Sequence, residues 1–218
     1  MLRNELISEL ANRILHLKLS HPLRVGVSGI TASGKTTLAN ELMEELQLRK
    51  MDVVRTSIDH FHNPREVRYR QGKESAIGYY EDAHDYHSFK QKLLIPLGQE
   101  GNLHYQTMSL DLEKDEFVST ESKVANQNSI FIIDGTFLFK KELSDLFDYK
   151  IFIHTDFEMA RKRGARREEG NFGSYDKAEE MFINRYHAAS RMYLEEHLPQ
   201  ITADVVINND DLENPYFL

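Results

Sequence analysis

Gly29-Ile30-Thr31-Ala32-Ser33-Gly34-Lys35-Thr36 fills the pattern GxxxxGK(S/T) at every position, and no other stretch limits the architecture so tightly. The motif works only between a strand and a helix, because its backbone N–H groups must converge on a phosphate at the positive end of that helix. Both flanks comply. Leu23-Arg24-Val25-Gly26-Val27-Ser28 puts Val25 and Val27 on one face of a short strand, and Thr37 to Leu46 has helical spacing. The glycines allow backbone geometries closed to other residues. Gly29, Ala32, Ser33, Gly34, Lys35, Thr36 and Thr37 are therefore the expected nucleotide-binding set. Lys35 would reach the β- and γ-phosphates, and the Thr36 hydroxyl would ligate Mg²⁺.

A chain of 218 residues suits one α/β domain with room for an insert. Its apolar fraction of 40% and charged fraction of 28% are those of an ordinary globular protein. The net charge of −8 disfavours nucleic acid as a partner. With no cysteine, disulfides and thiolate chemistry are excluded. Met1-Leu2-Arg3-Asn4-Glu5 carries acid where a signal peptide needs base, and no apolar run approaches the ~20 residues that span a membrane. The expectation is a cytoplasmic protein with no membrane partner. Residues 2–19 repeat Leu2, Leu6, Ile7, Leu10, Ile14, Leu15 and Leu17 at mostly helical spacing. That stripe packs on a core or, alternatively, forms a homo-oligomer contact.

Met51 to Ile58 reads as a second strand that delivers Asp59 at its carboxyl end, where ligands bind in open parallel sheets. Asp59 is the expected catalytic base, since kinases that phosphorylate a hydroxyl use a carboxylate to accept or orient its proton. Helix capping is the alternative. A polar and aromatic stretch from Arg68 to Tyr86 follows, and a long irregular segment in a compact domain usually has a function. His62, three residues beyond Asp59, and Tyr79, Asp82 and Asp85 in this stretch are the candidate acceptor-binding residues, within an insert over about 60–120 whose second half, His104–Leu112 and Phe117–Ser119, looks β-rich. Carboxylates suit paired ribose hydroxyls, and tyrosine suits a flat base.

Ser129-Ile130-Phe131-Ile132-Ile133-Asp134-Gly135 has the continuous apolar character of a strand buried on both faces. Asp134 ends it and fits the second acidic element, which holds Mg²⁺ directly or through water. Further strands are expected at Tyr149–His154 and Asp204–Asn208, and a long helix over 175–197. Between them, Arg161-Lys162-Arg163-Gly164-Ala165-Arg166-Arg167 places Arg163 and Arg166 three apart on a helix face. These two are expected to clamp phosphate from a lid over about 160–175; a solvated charged face or a small RNA patch are the alternatives.

Taken in order, GITASGKTT, SIDHFHNP, IIDG, the arginine helix and ADVVINND resemble the uridine kinase and phosphoribulokinase family of phosphate-loop kinases, from about Arg24 to Asn209. The resemblance implies a three-layer α/β fold with a five-stranded parallel core, ATP with Mg²⁺, Asp59 as base, Arg163 and Arg166 as lid arginines, and Asp134 in a place often held by glutamate. Two signatures depart from the family pattern. The tyrosine-aspartate-phenylalanine run that precedes a histidine around the pyrimidine is replaced by Tyr105-Gln106-Thr107-Met108-Ser109-Leu110, and a second lid arginine pair by Asn171 and Gly173. The implied reaction is transfer of the γ-phosphate to a small hydroxylated metabolite, with the 5′-hydroxyl of a ribonucleoside favoured. A vitamin or sugar phosphate is the alternative acceptor. A nucleotide-hydrolysing switch is the rival from another class, weakened by the lack of a guanine-reading NKxD motif.

Overall fold

A computed structural model describes residues 1–119 and 121–218; Thr120, the last residue of the expected insert, lies outside the described residues. α1 (Arg3–His16) buries Leu6, Ile7, Leu10, Ala11 and Ile14, so the apolar stripe is satisfied inside this chain, against α2 and the sheet. Leu2 and Leu17, at the ends of the expected stripe, are exposed. β1 (Leu23–Gly29), buried at every position, runs into the phosphate loop, and α2 (Lys35–Leu48) leaves it. β2 (Val53–Ser57) ends in a 3₁₀ turn, Ile58–Phe61, which carries Asp59.

The expected insert is more helical than its sequence suggests. α3 (Arg65–Arg68), α4 (Ala76–Asp82) and α5 (Tyr86–Phe89) fill its first half, and α5 continues as a π-turn over Lys90–Leu94. Its β character is limited to two-residue strands, β3 (His104–Tyr105), β4 (Leu110–Asp111), β5 (Glu116–Phe117) and β6 (Lys123–Val124). β3 pairs with β6 and β4 with β5, both antiparallel. Such short ladders leave the alternation that marks a strand little room to show.

β7 (Ile130–Gly135) is buried throughout, as its unbroken apolar run predicts. After α6 (Lys141–Ser144) and β8 (Tyr149–His154) comes α7 (Phe157–Phe172), the arginine helix. α8 (Tyr175–Met181) passes through a π-turn, Phe182–His187, into α9 (Ala188–His197), where the sequence suggests one plain helix. A Cβ on Gly164 would lie 2.1 Å from the Phe182 ring, so glycine lets α7 close onto that turn. β9 (Val205–Asn208) and β10 (Tyr216–Phe217) complete a six-stranded sheet in the order β10-β9-β8-β1-β7-β2. The five expected strands are parallel; β10 adds an antiparallel edge too short to be seen in the pattern. Apolar clusters fill both faces, one under α1 and α2, the other around Phe61, Phe89, Phe137 and Tyr193. Among the described residues no helix is long and apolar enough to cross a membrane.

Candidate active site

The phosphate loop turns on two residues of positive φ, Ala32 at 66° and Gly34 at 96°, and only the second is a glycine. A Cβ on Gly29 would come 2.6 Å from the Ile153 carbonyl oxygen, so close approach to β8 selects glycine there. Lys35 is buried and its Nζ donates to the Ile30 carbonyl at 2.7 Å, within the loop itself. Burial pushes its pKa down to about 8, against the pull of the Asp134 and Asp59 carboxylates. Asn209 Nδ2 donates to the Ser33 carbonyl at 2.8 Å and ties the loop to the end of β9. Ser33 is buried in the loop, while Thr37 faces out from the first turn of α2.

Sheet register sets Asp134 beside Val27 and Ser57, at the mouth of the loop. The Thr36 hydroxyl donates to Asp134 Oδ2 at 2.5 Å, and Arg55 Nη2 lies 2.7 Å from Oδ1. Two hard oxygen donors in contact fit Mg²⁺, which the hydroxyl could join by turning its proton away. Arg55 balances the buried carboxylate from the other side, a role the sequence does not announce.

Beyond the loop opens a cavity of about 370 Å³ lined by Thr31, Asp59, His62, Tyr79, Arg185 and Tyr186, among others. Asp59 faces it with 62% of its side chain exposed. His62 Nε2 and His84 Nε2 each stand 3.6 Å from Asp59 Oδ1, and the two rings stack 4.5 Å apart. Backbone fixes this pair, through a bridge between residues 62 and 84 and a 2.7 Å contact from His62 Nδ1 to the Ala83 carbonyl. Loss of water works to raise the Asp59 pKa, but the imidazoles outweigh it and hold the carboxyl well below its usual range. Burial drives His84 the other way, down to about 4, with the His62 ring adding to the shift. Asp59 is thus a carboxylate across the working pH range. One oxygen of Asp59 and one nitrogen of each imidazole lie within 4.8 Å of one another, close enough to share a cation, although that mixed set suits a softer ion than Mg²⁺.

His62 and Tyr79 therefore reach the cavity as expected from the sequence, and Asp82 and Asp85 do not. Asp82 is buried in an ion pair with Arg70 and accepts from Gln71 Nε2 at 2.7 Å. Asp85 caps α5 by accepting from the Ser88 N–H at 2.9 Å. The arginine helix is likewise rotated from expectation. Arg163 Nη1 donates to the Asn209 carbonyl at 2.9 Å, and Nη2 to that of Asp210, which holds it at the end of β9 rather than toward the cavity. Arg166 and Arg167 are both exposed, but only Arg167 lines the cavity, near enough for its charge to act on Lys35. Positions three and four apart are both neighbours on a helix, so spacing from Arg163 could not choose between them. Sequence alone does not single out His84, Arg68 or Arg185. The first two stand among many polar residues in the stretch from Arg68 to Tyr86, and Arg185 is one polar position in the helix expected over 175–197.

Strand, glycine loop, helix and a neighbouring acidic strand end define a phosphate-loop protein of the α/β class. Residues 24–208 match the model of the phosphoribulokinase / uridine kinase family, and the chain belongs to that family. Uridine-cytidine kinase A of Dictyostelium discoideum is 27% identical over 87% of this chain, which spans only 36% of that longer protein. Uridine-cytidine kinase 2-B of Danio rerio is 28% identical over 85% of this chain and 72% of its own length. The structure of a possible uridine kinase from Bacillus stearothermophilus superposes with a TM-score of 0.72 at 28% identity, covering 93% of this chain and 97% of that one.

Proposed function

We propose that this protein is an ATP-dependent kinase that transfers the γ-phosphate to a hydroxyl of a small acceptor. The observation that carries the reading is a cavity lined both by Thr31 of the phosphate loop and by the ionised Asp59. In the reaction the acceptor oxygen bonds to the γ-phosphorus, the bond to the bridging oxygen of ADP breaks, and the hydroxyl proton passes to Asp59. His62 and His84 keep that carboxylate charged and aimed. Lys35 and the loop N–H groups draw charge off the phosphates, and Arg167 on α7 adds a further positive group in a lid role. Mg²⁺ held by Thr36 and Asp134 would neutralise the phosphate oxygens.

The uridine-cytidine kinase relatives favour a ribonucleoside 5′-hydroxyl as acceptor, with the Tyr79 ring offered to a base. Against that acceptor, the two carboxylates expected to hold ribose hydroxyls, Asp82 and Asp85, are engaged elsewhere. The test is ADP release from ATP and Mg²⁺ with and without acceptors, wild type beside Lys35→Ala. A kinase releases ADP only with an acceptor and loses that release with Lys35. Equal release without any acceptor would instead identify a hydrolysing switch.

A further inference from the structure

Two arginines stand in the wall of the acceptor cavity with little in the protein to answer their charge. Arg185 is 7% exposed, its Nε has no hydrogen-bond partner, and among the described residues no carboxylate is paired with it. Its guanidinium instead lies over three tyrosine rings, 5.0 Å from the centre of Tyr79, 5.3 Å from Tyr69 and 5.4 Å from Tyr186. Arg68 is 6% exposed and leaves both Nε and Nη1 unpaired; only Nη2 meets an acid, Asp115, at 3.3 Å.

An unpaired charge taken out of water is costly, and ring faces offset only part of that cost. Guanidinium is planar and rich in donors, a shape that matches the paired oxygens of a carboxylate or phosphate. The other charges of the cavity are already committed. Glu168 pairs with Arg167 at 2.9 Å, and Asp59 faces its imidazoles. The π-turn over Phe182–His187 carries Arg185, and such turns recur where a helix aims functional side chains. The Tyr79 hydroxyl feels the charge of both Asp59 and Arg185, and all three residues line the same cavity. A neutral nucleoside would leave Arg185 and the Nε and Nη1 of Arg68 without an anionic partner.

We propose that the acceptor carries an anionic group, a carboxylate or a phosphate, seated on Arg68 and Arg185, besides the hydroxyl it presents to Asp59. This rests on the kinase reading for the hydroxyl but not for the anion, and the two are tested apart. The full chain, loaded with Mg²⁺ and a non-hydrolysable ATP analogue, is titrated calorimetrically with paired probes: D-glycerate against glycerol, ribose 5-phosphate against ribose, and uridine. At least one anion binds about tenfold or more tighter than its neutral partner and than uridine. Arg185→Gln and Arg68→Gln each weaken it by about tenfold to a hundredfold, the scale of a lost charge-assisted hydrogen bond, and leave affinity for the ATP analogue unchanged. If Arg185→Gln does not fold, Arg185→Lys keeps the charge, removes the fork, and still weakens the anion. Binding of D-glycerate alone assigns a carboxylate, and of ribose 5-phosphate alone a phosphate. Three results overturn the proposal: a neutral probe or uridine binding as tightly as the anions, anion affinity unchanged in the variants, or no anion binding at all. The kinase reading fails separately if an anion binds through the arginines and receives no phosphoryl group from ATP.

Discussion

On the proposed kinase reading, the donor half of the site and the acceptor half are built in opposite ways. The phosphate loop, Lys35 and Thr36 are contiguous in sequence, and the backbone between two regular elements fixes their geometry. The acceptor cavity is drawn from Asp59, His62, Arg68, Tyr79, Arg167 and Arg185, spread over more than half the chain and brought together by short helices and a π-turn. A function fixed by local backbone is written in a motif, and a function assembled by packing is not. This explains why the reaction class can be read from one stretch of sequence while the acceptor cannot.

The comparison breaks first at Lys35. Lys35→Ala should lower kcat by about 10²–10³-fold, on the scale of one lost electrostatic stabiliser, while the melting transition persists. Steady-state turnover of the folded variant checks it, and near-normal kcat would remove the donor half from the account.

On the acceptor side, Asp82 distinguishes structural from binding residues. Asp82→Asn breaks a buried pair with a largely exposed Arg70, so it should cost about 1–3 kcal/mol of stability and leave acceptor KM unchanged. Urea denaturation beside acceptor kinetics decides the matter; a raised KM with unaltered stability would restore Asp82 to the cavity.

A pH profile sharpens the donor half further. An amine with pKa lowered to about 8 is charged below that pH and neutral above it, so the attraction for phosphate fades as pH rises. kcat/KM for ATP, which reports the free enzyme, should fall about fivefold between pH 8 and pH 9, and Lys35→Arg should remove that inflection. A flat profile in the wild type would mean that Lys35 is charged throughout.

The smallest effects lie on α7. Arg167→Gln should reduce transfer severalfold, whereas Arg166→Gln, outside the cavity lining, should stay within about twofold in both rate and stability. Assaying the two variants side by side is enough, and equal losses would show that the helix turns its whole basic face inward.

Most of the sheet is legible because its central strands are apolar runs; Ile130–Gly135 carries both the fold and, near its carboxyl end, Asp134 in a single stretch. Asp59 was legible for the same reason, as a charge at the end of a strand. What stayed hidden depends on orientation. Asp85 and Asp59 are both acids in polar surroundings, and only the turn geometry that sends one to the Ser88 N–H and the other to the cavity separates them. His84 could not be chosen over His60 or His87, since its partnership with His62 is a bridge across 22 residues of chain. Arg185 is one polar position in an expected plain helix, and its place in the cavity wall comes with a π-turn that periodicity does not encode.

Asp59 is where the two halves of the proposed site meet. The decisive measurement is single-turnover transfer by Asp59→Asn with a responsive acceptor, with ATP affinity determined on the same protein. Transfer should fall about 10²–10⁴-fold, the contribution of a positioned base, while ATP binds within about twofold of the wild type. Transfer at the wild-type rate by Asp59→Asn would contradict the assignment of the base and the geometry built around it.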